Sequence, residues 1–318
     1  MTQKSSSFKY LYAFNYEYHH SDLCKLESRQ LFHSEEKDKL LLTDIKIDPS
    51  ISPFIKNRFE IILTAKSYSQ FIQNIKERDM HVPGFKVEYL LLKGDPADYT
   101  ERRKKMKDVG YCIFGEPDFE NPSITYSICT YEGLWYFGIL TKPSIHWHSH
   151  KKKPRSFSNS IGMNIAKTLV SMASKGDKSK SLLDACCGVG TVMLEGCSSG
   201  FNIEGCDINL HACNHTKANL EHYNYSAPVF CSDIKDITKN YDAIIVDLPY
   251  NLYSYSDDNI ILNILKSTIK RTDRVVIVSL SKIESKLTAL GLEIIDSCTV
   301  GKRGKSTFER KIWVCKKE

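Results

Sequence analysis

The C-terminal half of the chain closes in a way that few folds allow. The segments "LEIIDSCTV" and "FERKIWVCK" both read as strands, and only "GKRGKST" separates them, too short for a crossover helix. They are expected to pair as an antiparallel hairpin. Ahead of them, the strand-like segments "SLLDACC", "IEGCDIN", "APVFCSD", "YDAIIVDL" and "RVVIVSL" are interleaved with the helix-like "GVGTVMLEGCSSG", "LHACNHTKANLEHY", "NIILNILKSTIK" and "IESKLTAL". Alternation of this kind predicts a parallel sheet with helices on its faces, here finished by the antiparallel pair.

That arrangement resembles the Rossmann-like class I S-adenosylmethionine methyltransferase fold, whose seven-stranded sheet ends in an antiparallel hairpin. A plain dinucleotide-binding domain would continue with parallel strands. The turn "LLDACCGVGT", Leu182 to Thr191, lets the backbone approach a ligand closely after the first strand, and Asp184 sits where a carboxylate can fix an ammonium group. Asp207 ends the second strand, where it can accept both hydroxyls of a ribose, and Asp233 ends the third, where it can take an adenine amino group. The glycine spacing is not the Gly-x-Gly-x-x-Gly of nicotinamide cofactors, and an acid beside the turn would repel a pyrophosphate. S-adenosylmethionine is the cofactor that fits. Cys186, Thr191, Ile208 and Ile234, beside these positions, complete the expected cofactor set. Cys186 and Cys187 read as packing residues and not as nucleophiles, because methyl transfer from a sulfonium is a direct displacement.

The fourth strand ends in "DLPY", Asp247, Leu248, Pro249 and Tyr250. An exocyclic amine on a nucleobase is a poor nucleophile because its lone pair is delocalised into the ring. A carboxylate and a neighbouring backbone carbonyl that accept its hydrogens would localise that pair, a proline would fix the turn, and an aromatic ring would stack on a flipped base. "DLPY" is similar to the Asp/Asn-Pro-Pro-Tyr/Phe motif of amino-directed methyltransferases, which modify adenine N6, cytosine N4, guanine N2 or glutamine amides. Upstream, "KPRSFSNSIGMNIAKTLVSMA" looks like the segment that precedes the glycine motif in RNA methylases carrying a THUMP domain, and "GKSTFERKIWV" looks like the segment that closes the same domain. "FKVEYLLLKG" and "NPSITYSICTYEGLWYFGIL" resemble the end of a THUMP domain, a more degenerate match. The chain thus resembles the THUMP-containing tRNA guanine-N2-methyltransferases. The resemblance implies that Asp184, Gly188, Gly190 and Asp207 hold the cofactor, that Asp233 reads its adenine, and that Asp247 to Tyr250 hold a guanine. One position departs from the pattern: Leu248 stands where the first proline would, which weakens the rigidity of the turn. Adenine-N6 or glutamine-amide methylation, or a non-catalytic RNA-binding relative, are the alternatives to guanine-N2.

The N-terminal half differs in kind. "KYLYAFNYEY", "RFEIILTA" and "FKVEYLLLK" read as strands, "SYSQFIQNIKER" as an amphipathic helix, and "SITYSICTYEG" with "LWYFGIL" as a hairpin turning at "YEG". Three segments are expected: an α+β, THUMP-like RNA-binding region over 1–145, a basic linker over 146–160, and the catalytic domain over 161–318. Within the linker, His146, His148 and His150 would share one face of a strand, but no cysteine or acid lies near them to complete a metal site, and no metal is expected. Lys151, Lys152, Lys153 and Arg155 are expected to contact RNA phosphates. The net charge of +6 gathers in such runs, including "ERRKKMK" and "GKRGK", which suits a polyanion such as tRNA. Eleven cysteines with no Cys-x-x-Cys pair read as reduced thiols, and the absence of an apolar run of roughly 20 residues argues against a membrane span. The expected location is the cytoplasm. Neither a helper subunit nor an oligomeric state is legible in one chain.

Overall fold

The computed structural model describes residues 8–157, 160–249, 255–302 and 305–318. The chain divides into two compact units that do not follow chain order: 1–15, 36–49 and 55–143 form the first, and 16–35, 50–54 and 144–318 the second. Residues 16–35 and 50–54, inside the stretch expected as an N-terminal region, therefore pack within the second unit. Their main element is helix α1 (Ser21–Phe32), which follows strand β1 (Tyr10–Phe14) in the chain.

The first unit continues with β2 (Leu40–Thr43), β3 (Ile55–Ala65), helix α2 (Tyr68–Lys76), β4 (Met80–His81), β5 (Phe85–Tyr89), helix α3 (Tyr99–Gly110), β6 (Ile113–Phe114), β7 (Ile124–Tyr131) and β8 (Leu134–Thr141). Six strands form a sheet in the order β2-β1-β3-β8-β7-β5, and β4 pairs with β6 apart from it. The expected hairpin is β7–β8: Tyr131 pairs with Leu134, and Glu132 and Gly133 both have positive φ, the requirement of a tight two-residue turn. Phe71 and Ile75 of α2 and Val109 of α3 are buried with Phe85, Tyr126, Ile128 and Phe137 of the sheet. Both helices start on side-chain caps, Ser67 accepting from the Gln70 amide and Asp98 from the Glu101 amide. Gly138 is required where β8 crosses the bulge in β3, since a Cβ there would lie 2.0 Å from the Glu60 carbonyl oxygen.

The second unit holds helix α4 (Met163–Ser174), β9 (Ser181–Ala185), α5 (Thr191–Ser198), β10 (Asn202–Asp207), α6 (Leu210–His222), β11 (Val229–Cys231), β12 (Ala243–Asp247), α7 (Tyr255–Thr268), β13 (Arg274–Ser279), α8 (Glu284–Ala289), β14 (Leu292–Lys302) and β15 (Lys305–Lys317). Its sheet has seven strands in the order β11-β10-β9-β12-β13-β15-β14. Strands β9 to β13 are parallel, while β15 runs antiparallel to both β13 and β14, as the short connection demands. The hairpin β14–β15 therefore sits at one edge of a parallel sheet, the class I methyltransferase arrangement. One face packs against Ile261 and Leu265 of α7 and Leu287 of α8. The other lies under α4, where the Arg274 guanidinium donates to the Met172 and Ala173 carbonyls. The switch in strand order between β9 and β12 opens a crevice at the carboxyl ends of the strands, where ligands bind in open α/β sheets.

Candidate active site

At that crevice lies a cavity of about 950 Å³, bordered by β9, β10, β12, the glycine turn and α7. Of the residues read from the sequence, Asp184, Cys186, Gly188, Thr191, Asp207, Ile208, Asp233, Ile234, Asp247, Leu248 and Pro249 all line it. Tyr250 lies outside the described residues. Lys151, Lys152, Lys153 and Arg155 do not line the cavity; Lys151, Lys152 and Arg155 are exposed and Lys153 is half-buried.

The glycine turn is built from unusual backbone. Gly188 and Gly190 have φ of +56° and +75°, and a Cβ on Gly190 would lie 2.6 Å from Thr216 Cγ2. Cys186 also takes φ +76°, a left-handed conformation that side-chain-bearing residues seldom adopt. Its amide and that of Cys187 both donate to the Cys206 carbonyl, and the Thr216 hydroxyl donates to the Gly188 carbonyl at 2.7 Å, so the strained turn is held from three sides. Asp207 reaches back across β10: its Oδ2 accepts from the Gly188 amide and its Oδ1 from the Asn209 amide, both at 2.9 Å. Asp233 accepts from the Lys235 amide at the start of a short helical turn. Ile208 is 75% exposed beside Asp207, an apolar side chain left open at the cavity.

Two further acids at the cavity have a raised affinity for the proton. Asp184 is fully enclosed, and its Oδ2 has no hydrogen-bond partner among the described residues. Burial, with the nearby charges of Asp247 and Asp207, holds its carboxyl well above the usual carboxylate range. Asp247 is half-buried, and desolvation pushes it up to about 7 against the opposing pull of Arg310. A buried acceptor without a donor, facing a roomy crevice bordered by acids, fits a cationic ligand. An ammonium at Asp184 would supply the missing donor.

Leu248 solves the problem that the absent proline poses. Its amide donates to the Val278 carbonyl at 3.0 Å, a bond proline cannot make, and its side chain is buried in the core under α7 and α8. The turn is thus held by a strand bond and by packing instead of by a ring.

The linker reading is corrected by the structure. His146–Lys152 is a 3₁₀ helix, so the three histidines do not share a strand face. His150 is buried, with Nδ1 2.7 Å from Glu195 Oε1 of α5 and Nε2 3.2 Å from the Tyr225 hydroxyl. Beyond it, Asn219 of α6 donates to the Arg155 and Val189 carbonyls and accepts from the Arg155 amide, tying this segment to the glycine turn. Sequence reading also passed over Ser232, whose buried hydroxyl at the cavity lacks a partner among the described residues, and Arg310. Nothing in a lone serine or in an arginine on a closing strand marks either one.

The methyltransferase small domain family matches residues 151–290. The tRNA (guanine(10)-N2)-dimethyltransferase of Methanothermobacter thermautotrophicus is 28% identical over 119 residues, covering 36% of this chain and 34% of that protein. A probable tRNA (guanine(10)-N2)-dimethyltransferase of Methanothermococcus thermolithotrophicus is 32% identical over 131 residues, covering 37% of this chain and 79% of its own length. The chain thus spans about a third of the first relative and about four fifths of the second. Among solved structures, TrmN from Thermus thermophilus aligns with a TM-score of 0.49 at 13% identity, over 97% of this chain and 99% of that one. Among the described residues, no helix is long and apolar enough to cross a membrane. The chain belongs to the methyltransferase family of these relatives, and S-adenosylmethionine is its cofactor.

Proposed function

We propose that the protein is a tRNA guanine-N2-methyltransferase that works in the cytoplasm on an extruded guanine. One observation carries this reading. Asp184 and Asp247 project from the same face of neighbouring strands into one cavity, so a cation-holding acid and an amine-accepting acid border a single reaction space. The two relatives named for guanine-N2 dimethylation support the choice of base.

Asp184 would hold the cofactor's ammonium group, with Asp207 on the ribose hydroxyls and Asp233, Ile234 and Ile208 around the adenine. Cys186, Gly188, Gly190 and Thr191 supply the turn that lets backbone approach it. The cofactor brings an electrophilic methyl group on sulfur; the chain's task is to aim a weak amine at it. Asp247 accepts one amino hydrogen and the Leu248 carbonyl the other, which localises the nitrogen lone pair toward the methyl. Pro249 and Leu248 hold that carbonyl in place, and Tyr250 would stack on the base. Once the nitrogen is methylated, Asp247 is the group positioned to carry the departing proton.

In the same reading, the first unit is a THUMP-like RNA-gripping domain. Arg103, Lys104 and Lys107 stand exposed on α3, with the Arg103 guanidinium 5.7 Å from the exposed Tyr99 ring, a surface suited to phosphates and an unstacked base. Lys151, Lys152 and Arg155 would add phosphate contacts from 146–160, and 161–318 would carry the chemistry. Nucleoside mass spectrometry of tRNA from cells with and without the gene tests the proposal. Loss of N2-methylated guanosine is the expected result, and loss of a methylated adenosine instead would overturn it.

A further inference from the structure

The strand register puts an unassigned cation beside the reacting carboxylate. Asp247 pairs with Val278 of β13, and Val278 with Ile312 of β15, so these three share one sheet face. Arg310 stands two residues before Ile312, on that same face, at the end of β15 that overhangs the carboxyl edge of β13. It is 8% exposed, an enclosed guanidinium on the closing hairpin. Burial lowers its own affinity for the proton and the Asp247 charge opposes that fall only in part, while Arg310 pulls in the opposite sense on Asp247. The other groups around Asp247 are mostly of its own sign: Asp184 on β9, Asp207 on β10 and the Cys186 thiol all share its field. Lys266 of α7 and Lys270, two residues beyond its end, also line the cavity.

We propose that Arg310 is a positioning residue of the reacting site, holding Asp247 charged and aimed into the cavity so that it can accept the hydrogens of the target amine. Without that cation, burial would keep Asp247 neutral, and a protonated acid offers its O–H where an acceptor is needed. The closing hairpin therefore does more than complete the sheet: it brings the counter-charge for the residue at the end of β12.

The role of the amine acceptor rests on the proposed function, but the charge relation does not, and the test separates them. In protein labelled with ¹³C at the aspartate carboxyls, the Asp247 resonance is assigned by its loss in Asp247→Asn and titrated without RNA. In Arg310→Gln its midpoint is expected to rise by about 1–3 pH units, and in Arg310→Lys to stay close to the unsubstituted protein. An unmoved midpoint in Arg310→Gln overturns the proposal. Should Arg310→Gln fail to fold, Asp247→Asn in the same chain is expected to restore folding, since the carboxylate that Arg310 would balance is then gone; failure of that rescue also overturns it. If the midpoint moves but no methylated guanosine is ever formed, the substrate reading fails and the pairing stands.

Discussion

The second unit buries two sets of acids, and they are treated in opposite ways. Beneath α4, Glu27 accepts from Ser52 at 2.5 Å and from Ser171, while Glu195 Oε1 lies 2.7 Å from His150 and its Oε2, without a hydrogen bond among the described residues, has Lys167 Nζ as a counter-charge at 3.8 Å. Lys167 in turn donates to Ser199 at 2.7 Å and lies 5.2 Å from the Trp147 ring centre. At the crevice Asp184 is as enclosed as these two and Asp247 is half-buried, yet Asp184 Oδ2 has neither a donor nor an ion-pair partner among the described residues. Of the acids that serve the fold, Glu27 has a hydroxyl donor at each oxygen, and Glu195 has a histidine ring and an ammonium beside it. An acid that serves a ligand keeps an acceptor in reserve, and the fold tolerates its raised proton affinity.

Breaking the first set is expected to give the largest effect on the fold. Lys167→Met leaves Glu195 without its cation in a site of 0% exposure, and chemical denaturation should show a loss of about 3–5 kcal/mol. Asp247→Asn should instead cut methyl transfer roughly 10²–10³-fold, by removing a charged acceptor at the reacting amine, while calorimetric cofactor affinity and stability hardly change. Asp184→Asn inverts that pattern. In the proposed reading it would exchange a charge-assisted bond to the ligand's ammonium for a neutral one, and cofactor affinity should fall about 10–100-fold with the melting temperature of the free protein little altered.

Acidity gives the smallest and finest contrast. Burial raises Glu27 from 4.5 to about 7, so the folded chain favours its protonated form. Its contribution to stability is full below about pH 4.5 and is lost as pH rises through about 7. Glu27→Gln should flatten the fall in melting temperature across that window, and a fall that persists unchanged would assign it to other groups.

Most of the second unit's fold was legible in the sequence because its strands are apolar runs punctuated by glycine and acids at their ends. "GKRGKST" alone required β14 and β15 to pair as they do. Position within the crevice followed from the same punctuation, since Asp207 and Asp247 end their strands, Asp184 stands one residue before the end of β9 and Asp233 two residues past β11. What escaped depends on contacts distant in sequence. Helix α1 lacks a marker of its destination, and its Arg29 finds Asp296 of β14 at 2.7 Å only once the chain has folded. His150 read as a solvated linker residue because neither Glu195 nor Tyr225 is near it in sequence. Arg310 was one more charge in a basic tail, and only the register of β15 against β13 brings it to the side of Asp247.

The central claim is that this crevice methylates a guanine amine. Purified protein incubated with radiolabelled S-adenosylmethionine and an unmodified tRNA transcript, followed by digestion to nucleosides, measures it directly. Label in N2-methylguanosine, absent with Asp247→Asn, is the predicted result; label in methylated adenosine or in protein glutamine, with none in guanosine, would contradict it.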